Sequence, residues 1–355
     1  MSKSDTFNFR GGEILGVNIM PFVSEDPHLK VTKPLFCSIL ANTRLSTVPG
    51  VSGAGQSPEK TLLTPILDAE LIARGSITSM PVKPNTPTGC PTPASITRAM
   101  MDLISVKPLF INAGLAQSPT VPCLDAYGCV GEDPRERDAV PCADALYQRG
   151  VEIGEYLSGS GDLLVLGECV PGGTTTALCV LRALGYPASV SSSLVNNPLP
   201  LKEEICRTVL KRIKREGITR PLEIIRATGD PMMPVAVGIA HAYEGNLVLA
   251  GGTQMLAVAA LVRAFQDRMP PIATTSYVRD DPSANVSELA ARIPVKLFFV
   301  DPGFHDLGHA GLARYCIGEV KEGMGAGGAM LLAYLLGYSP ATIREKIYET
   351  VSAYS

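Results

Sequence analysis

Two glycine-rich turns, each beside a glutamate, hold the residue types in this sequence that best suit chemistry. The first, "GECVPGGTTTA" at 167–177, follows an apolar run, and the second, "VKEGMGAGGAM" at 320–330, leads into one. Backbone N–H groups that converge at a turn bind anions, and a carboxylate shielded from water gains the pKa of a general base. The two turns therefore indicate acid-base chemistry on an anionic substrate.

The first turn has the composition of a phosphate-binding helix start. Gly172 and Gly173 allow the backbone to bend, so that successive N–H groups converge where a helix begins near Thr174. Glu168, at the end of the apolar run, is a further candidate for the site. Packing of a strand against a helix explains the same glycines equally well, because neither G-x-x-x-x-G-K-[ST] nor G-x-G-x-x-G is present.

In the second turn, Glu322 is the candidate general base. It precedes a glycine-rich entry into an apolar helix, where desolvation raises the pKa of a carboxyl group. The alternative is a glutamate that only complements the positive end of the helix dipole. The residues alone leave both interpretations open.

Composition limits the class of protein. The chain has 355 residues, of which 46% are apolar and 18% charged, so it can bury a large core as a single domain. Its formal net charge of -3, with no long block of like charges, gives nucleic-acid binding no electrostatic support. The most apolar windows are too short and glycine-rich to cross a bilayer, and the sequence starts without a secretory pattern. We therefore expect a cytoplasmic protein that binds neither nucleic acid nor membrane.

Cysteines and histidines do not predict a metal site. The nine cysteines form no C-x-x-C pair, and their odd number argues against a disulfide framework, which indicates buried thiols in a reducing compartment. No acidic ligand set accompanies His305 and His309, so a structural or capping role is favoured. His241, among apolar neighbours on a helix, is expected to be packed in the core. We predict neither a metal nor a cofactor.

Apolar runs that alternate with amphipathic segments predict an α/β fold. The expected strands are 36–42, 108–114, 163–168, 246–252 and 296–303. The expected helices are 93–104 with Thr92 as N-cap, 176–184, 201–217 and 253–265. This alternation predicts a doubly wound, mostly parallel, Rossmann-like sheet that binds ligands at the carboxyl ends of its strands. We place the core of the single domain 1–355 at about 31–320, with 1–30 and 321–355 forming a small helical subdomain.

Two long irregular segments, 79–93 and 121–141, interrupt this pattern and are rich in proline and glycine. Loops of this length are often binding elements, and an equally good alternative is that they only connect surface elements. The small-residue segment 52–60 has the same two interpretations, as part of a binding site or as a simple helix entry.

Taken together, the motifs resemble those of the nicotinate-nucleotide:dimethylbenzimidazole phosphoribosyltransferase family. The turn at 167–175 is similar to that family's "GEMGIGNTT", and "PLEIIRATGD" at 221–230 is similar to its "PLEVLAKVGG". "LVLAGGTQMLAVAAL" at 247–261 resembles its "VVLDGFI" with the alanine-rich helix that follows, and "VKEGMGAGGAM" resembles its "LGEGTGAALAM". The blocks occur in the same order and cover roughly 163–336.

The resemblance implies roles for particular residues. Glu322 matches the general base of the family, and Gly325 matches a glycine that contacts phosphate. Lys202 matches a helix lysine that would pair with the same phosphate, although an exposed helix lysine is an equally good interpretation. The anion-binding turn of the family corresponds to Val170, Pro171, Gly172, Gly173 and Thr174.

The activity that the resemblance implies is transfer of phosphoribose from nicotinate mononucleotide to an azole base of the benzimidazole type, in cobalamin lower-loop assembly. The pyridinium leaving group needs no acid, and one carboxylate at Glu322 suffices to take the N–H proton of the attacking azole. The resemblance also implies a homodimer. Two alternatives stay open: a nucleotide- or base-binding protein without catalysis, and a phosphoribosyltransferase with another acceptor, such as adenine.

The region expected to bind the acceptor base departs most from the family. Its "AGDHG" turn corresponds to "LFINAGLAQSP" at 109–119, which has no Asp-His pair. The chain has no tryptophan, so a flat azole must be held by other apolar side chains. The candidates for this base pocket are Met80, Met100, Met101 and Leu115.

Overall fold

The computed structural model of the chain describes residues 21–55 and 57–354, which form a parallel sheet covered by helices on both faces. The strands of this described part are β1 (Pro34–Ala41), β2 (Leu109–Gly114), β3 (Leu124–Asp125), β4 (Leu163–Cys169), β5 (Asn246–Ala250), β6 (Ile272–Thr275) and β7 (Leu297–Val300). Their order in the sheet is β3-β2-β1-β4-β5-β6-β7, and every neighbouring pair is parallel. The chain therefore winds outward from β1 in one direction and from β4 in the other, as in a doubly wound fold.

Helices make up most of the connections between strands. They are α1 (Pro58–Thr61), α2 (Thr64–Arg74), α3 (Pro93–Ile104), α4 (Ala143–Leu157), α5 (Gly173–Ala183), α6 (Leu199–Glu216), α7 (Pro221–Thr228), α8 (Met232–Ala242), α9 (Thr253–Phe265), α10 (Ser276–Arg279), α11 (Val286–Arg292), α12 (Ala310–Cys316), α13 (Ala326–Leu335) and α14 (Pro340–Ser352). Short 3-10 turns occur at Arg44–Thr47 and Phe304–Asp306.

Alternate side chains of the central strand β4 point to opposite faces of the sheet. Leu164 and Leu166 belong to one apolar cluster, which contains residues of α4, α5, α8 and α9. Leu163 and Val165 belong to a second cluster, which contains residues of α2, α3, α13 and α14. Since helices cover both faces, every residue of β4 is buried, and the strand is a continuous apolar run rather than an alternating one.

The start of α13 lies directly against the sheet. A Cβ on Gly328 would lie 2.3 Å from Cβ of Ala250 and 2.8 Å from Cγ1 of Val165. A Cβ on Gly327 would lie 2.7 Å from Cα of Thr274. Because only glycine allows this approach, the segment just before α13 reaches the carboxyl ends of the neighbouring strands.

The structure confirms the predicted fold class. The five expected strands correspond to β1, β2, β4, β5 and β7, and the helix expected at 93–104 is α3, with Thr92 at its N-cap. The sequence analysis did not identify β3 and β6, because they span two and four residues and give too little pattern. All the pairs in the described sheet are parallel, which is a stricter arrangement than the mostly parallel sheet expected.

The helical subdomain built from terminal segments stays a prediction. Residues 1–20 of its N-terminal part lie outside the described residues. In its C-terminal part, α13 packs against β4, β5, β6 and β7, and both α13 and α14 pack against α3.

We expect Gly328→Ala to destabilise the protein by about 1–3 kcal/mol, because the new Cβ would overlap Ala250 in a packed core. In an unobstructed helix the same exchange would stabilise by up to about 1 kcal/mol. The measurement is the free energy of unfolding in urea. Gly154→Ala in α4, where the nearest atom would be 3.0 Å away, is the control and should lose less stability. Equal losses in the two variants would contradict the packing argument.

Candidate active site

A cavity of about 250 Å³ lies at the carboxyl ends of β4 and β5. Much of its lining comes from the segments 51–55, 82–87, 168–174, 191–193, 252–254 and 320–323. Both glycine-rich turns recognised in the sequence therefore meet at one place. The irregular segment 79–93 also contributes to the wall, which favours the binding-element interpretation of that loop.

Glu322 lines the cavity and is partly buried. Its Oε1 accepts hydrogen bonds from the N–H groups of Gly323 at 3.1 Å and Gly327 at 3.2 Å. Burial raises the pKa of Glu322 to about 7, and these N–H donors oppose the rise. Gly327 lies in the first turn of α13, so the carboxylate does meet the positive end of the helix. A helix dipole alone would lower the pKa of the carboxyl, so burial dominates at this residue.

Glu168 is a second carboxyl group in the cavity lining, and it is 5% exposed. Its Oε2 accepts hydrogen bonds from the N–H of Val170 at 3.1 Å and from Nε2 of Gln254 at 2.7 Å. Burial, followed by the negative charges of Asp230 and Glu322, raises the pKa of Glu168 to about 8. Both carboxyls therefore have raised pKa values, with the higher value at Glu168, and they titrate as an interacting pair.

Asp68 in α2 is a third acidic group of the cavity wall, and the sequence analysis missed it. Its Oδ1 accepts a hydrogen bond from Oγ1 of Thr92 at 2.9 Å, and Oδ2 is 3.9 Å from Sγ of Cys169. Burial raises the pKa of Asp68 to about 7. Its position inside the apolar stretch "TPILDAEL" was the available signal, because an acid among buried apolar residues requires a polar partner.

The start of α5 forms one side of the cavity. Gly172, at φ 81°, is the N-cap, and Thr174 lies in the first helical turn. The N–H groups of Gly173 and Thr175 donate to the carbonyls of Val170 and Gly172, at 2.9 Å each. Nζ of Lys202 donates to Oγ1 of Thr174 at 3.0 Å and to the carbonyl of Ser191 at 2.8 Å. Since Lys202 is fully buried, its interpretation as an exposed helix lysine is wrong. It lies behind Thr174, so the expected contact with phosphate would run through that hydroxyl.

Lys202 is also electrostatically unusual. Burial, followed by the positive charge of Lys321, lowers the pKa of Lys202 to about 7. An anion at the start of α5 would stabilise the ammonium form, because opposite charges favour ionisation.

The start of α9 adds a second helix N-terminus to the same side. Gly252, Thr253 and Gln254 line the cavity, and the N–H of Ser191 donates to Oγ1 of Thr253 at 3.2 Å. The sequence analysis placed this strand-turn-helix block in the family resemblance but assigned no role to it. Two helix N-termini that meet at one wall make that wall electropositive.

The remaining candidates from the sequence are only partly at the cavity. Met80 lines it, whereas Met100 and Met101 lie in α3 and are buried in the second apolar cluster. Leu115 lines a separate cavity of about 330 Å³ beside β2 and β3. Gly325 is the N-cap of α13 and packs against the backbone of Gly167, so it supports the site from outside the lining. The apolar wall includes Leu63, Leu67, Ile77, Met80 and Val82.

The histidines do not line this cavity, and Cys169 is the cysteine among its described lining residues. Nδ1 of His309 accepts the N–H of Leu312 at 3.2 Å, which confirms its capping role at α12. His241 is exposed and contacts the hydroxyl of Tyr147, so the expected burial is wrong, because it lies at the solvent-facing end of α8. Cys129 and Cys316 are exposed free thiols, which corrects the expectation that the thiols are buried.

No group of three or more His, Cys, Asp or Glu side chains in the described part of the chain is arranged to hold a metal ion. Nor does any helix within 21–55 and 57–354 combine the length and apolar character that crossing a membrane requires.

The raised pKa of Glu168 predicts a measurable pH dependence of stability. A carboxyl whose pKa is higher in the folded than in the unfolded state binds more protons when folded, so its contribution to stability falls as the pH rises. As the pH rises from about 5 to about 8, we expect the free energy of unfolding of Glu168→Gln to increase relative to that of the unaltered protein. The increase is at most about 1.4 kcal/mol per pH unit. Urea unfolding at a series of pH values measures this.

The control is Glu152→Gln on the surface of α4, where the carboxyl is exposed and pairs with Arg149. It should leave the pH dependence of stability nearly unchanged. A stability difference between Glu168→Gln and the unaltered protein that does not change with pH would contradict the buried, protonated state of Glu168.

Solved structures with the same fold come from Thermus thermophilus. One is CobT, with a TM-score of 0.59 and 16% sequence identity, in an alignment that covers 90% of this chain and 84% of that one. Another is a nicotinate-nucleotide-dimethylbenzimidazole phosphoribosyltransferase, with a TM-score of 0.57 and 16% identity over the same shares of the two chains. At this identity the likeness shows a common fold, and it confirms the resemblance recognised in the sequence at that level.

Curated relatives are found among archaea. A UPF0284 protein of Methanosarcina acetivorans is 42% identical over 341 residues, which cover 92% of this chain and 97% of the relative. A UPF0284 protein of Thermococcus onnurineus is 44% identical over 323 residues, which cover 89% of this chain and 96% of the relative. No protein-family model matches the chain. Identity at this level over nearly the whole length shows that the chain belongs to the UPF0284 family.

Proposed function

We propose that this protein transfers phosphoribose from nicotinate mononucleotide to an azole base, with Glu322 as the general base. The observation that carries the proposal is the composition of one cavity. A carboxyl with a pKa of about 7 lies in the same cavity as the N-termini of α5 and α9. A nucleotide with its phosphate at the helix starts would have its ribose between these groups.

The anion-binding side suits a phosphate monoester. The starts of α5 and α9 give this side of the cavity a positive potential, and the hydroxyl of Thr174 accepts from Lys202, which leaves its own proton free to be donated to a ligand. Phosphate binding away from the reacting carbon supplies orientation rather than chemistry. This side of the cavity would therefore bind and orient the phosphate of the donor.

The reaction uses the acidic groups of the cavity. The bond between the anomeric carbon and the nicotinate nitrogen breaks, and its electron pair neutralises the pyridinium. One azole nitrogen forms the new bond to the same carbon, and the proton on the other nitrogen passes to the carboxylate of Glu322. The higher pKa of Glu168 favours leaving the negative charge on Glu322, where it also stabilises the positive charge that develops on the ribose.

Two further observations support this proposal. The solved structures with the same fold include a nicotinate-nucleotide-dimethylbenzimidazole phosphoribosyltransferase. A protein that only binds a nucleotide has no use for a desolvated carboxylate beside the ribose position, since burying it costs stability. These points favour catalysis over the binding-only alternative.

Asp68 favours an acceptor that carries a hydrogen-bond donor. Its Oδ2 contacts the thiol of Cys169, which is a weak donor, at 3.9 Å. Leu63, Leu67 and Ile77, whose side chains carry no polar group, line the same cavity. A purine such as adenine, whose amino group is a donor, is therefore the second candidate for the acceptor, beside a simple benzimidazole.

The proposal is tested by incubating the protein with nicotinate mononucleotide and a panel of azoles and purines, and by measuring nicotinate release. We expect Glu322→Gln to lower turnover by roughly 100-fold or more and to leave nucleotide affinity within a few-fold, because only the proton transfer is lost. In the unaltered protein turnover should rise with pH through about 7, since the base must be deprotonated to act.

Asp267→Asn, on an exposed side chain that pairs with Arg263, is the control and should keep full turnover. Near-normal turnover in Glu322→Gln would show that Glu322 is not the general base and only complements the positive end of the helix dipole. Absence of nicotinate release with every acceptor in the panel would reject the proposed function itself.

The wall formed by the starts of α5 and α9 leads to a prediction about the affinity for the donor. We expect nicotinate riboside, which lacks the phosphate, to bind at least about 10-fold more weakly than nicotinate mononucleotide, since a charge-assisted hydrogen bond contributes about 1.5–3 kcal/mol. Thr174→Val removes the hydroxyl at nearly constant shape and should reduce this preference. Calorimetric titration of both ligands measures it, with Thr208→Val on the exposed face of α6 as the control. Equal affinity for the two ligands in the unaltered protein would exclude a phosphate site at this wall.

A further inference from the structure

Backbone strain is concentrated around Glu322. Val320, Lys321 and Met324 have positive φ angles of 66°, 61° and 51°. Residues with a Cβ pay about 1–2 kcal/mol each for this conformation, and a β-branched valine is a clear outlier. Such strain persists only where surrounding contacts over-determine the backbone, so those contacts indicate what the strain serves.

The side chain of Lys321 makes one set of these contacts. It is 6% exposed, and its Nζ donates to the carbonyls of Ser192 at 2.6 Å and Leu194 at 3.4 Å. The same Nζ lies 3.3 Å from Oδ2 of Asp281. An ammonium group has three N–H donors, and these three acceptors use them all. Lys321 therefore has no donor left for a ligand, although it lines the cavity.

The backbone on either side of Lys321 is held as well. The N–H of Val320 donates to the carbonyl of Ser193 at 2.9 Å, and the carbonyl of Lys321 accepts a hydrogen bond from Oγ1 of Thr275 at 2.7 Å. The two strained residues are thus fixed between the segment 192–194 and the end of β6. Glu322 follows them directly in the chain.

Asp281 completes the cluster from the opposite side. Its side chain is 5% exposed, and Oδ2 also accepts a hydrogen bond from Oγ of Ser191 at 2.6 Å. Its Oδ1 accepts from the N–H of Ser283 at 2.9 Å. The ion pair with Lys321 therefore lies in a fully bonded, buried surrounding.

Stability alone does not account for this arrangement. A buried ion pair loses hydration that its Coulomb attraction often fails to restore, and a glycine at 321 would adopt a φ of 61° without strain. A lysine at this position instead ties a strained turn to a separate segment of the cavity wall. The strained backbone and the buried ion pair are both explained if the residue before Glu322 must be held in one place.

We propose that Lys321 is a positioning residue, which with Asp281 as its counter-ion fixes the backbone before Glu322 and so sets the direction of the Glu322 carboxylate. Lys321 does not contact the substrate. The proposal rests on the proposed function, and it adds a residue that acts on the chemical step through Glu322. Loss of the anchor leaves the helix starts of α5 and α9 in place and lowers turnover.

The test is Lys321→Gly, which removes the ammonium group and allows the positive φ without strain. We expect kcat to fall by at least about 10-fold, because small misplacement of a catalytic group costs up to about 100-fold, while KM for nicotinate mononucleotide stays within about threefold. Lys296→Met, which removes an exposed pair with Glu25, is the control and should keep both constants. Thermal unfolding verifies that each variant is folded.

If Lys321→Gly does not fold, Asp281→Asn carries the same expectation, because it removes the counter-ion and keeps an acceptor oxygen for the serines. An unchanged kcat in a folded variant overturns the proposal. A raised KM with unchanged kcat also overturns it, since Lys321 would then serve donor binding.

Failure of the proposed function is distinguishable from failure of this inference. If the unaltered protein releases no nicotinate, the readout becomes the carboxyl carbon resonance of Glu322 in protein labelled with carbon-13 glutamate, assigned by its loss in Glu322→Gln. Lys321→Gly is expected to shift or broaden that resonance, and Lys296→Met to leave it in place. An unaltered resonance in Lys321→Gly overturns the positioning role whatever the substrate is.

Discussion

The contact between the start of α13 and the backbone of the sheet is the constraint on which the site depends. A Cβ on Gly325 would lie 3.1 Å from Cα of Gly167 in β4 and 3.2 Å from Cβ of Ala250. Because the two backbones touch, Glu322 enters the cavity close to Glu168, the residue after Gly167. Burial raises the pKa values of Glu322 and Glu168 to about 7 and about 8.

The cavity divides into two electrostatic sides. The starts of α5 and α9, with Lys202 buried behind them, form an electropositive wall. Asp68, Glu168 and Glu322 form the acidic side, where burial raises the pKa of each carboxyl. This arrangement fits a substrate whose anionic group binds at the electropositive wall and whose reaction releases a proton at the acidic side. The proposed phosphoribosyl transfer has both properties.

Much of the fold and part of the site could be predicted from the sequence. The buried strands were recognisable because continuous apolar runs are typical of strands covered on both faces, and β4 is such a run. Glu168 and Glu322 were candidates because each stands beside a glycine-rich turn. Asp68 was missed because nothing in its neighbourhood along the chain says which side of α2 faces a cavity. Met100 and Met101 were misplaced for the same reason, since their side of α3 faces the core.

By itself, the sequence determined what neighbouring residues encode: the alternation of strands and helices, and the glycines that permit tight turns and close backbone contact. The tertiary structure alone decided which distant side chains share a cavity and how much water reaches them. Lys202 shows the difference, because its helix is plain in the sequence, whereas its burial depends on contacts with Thr174 and Ser191. Desolvation and charge-charge distances arise only when segments far apart in the chain pack together, and these set the pKa values on which the proposed chemistry rests.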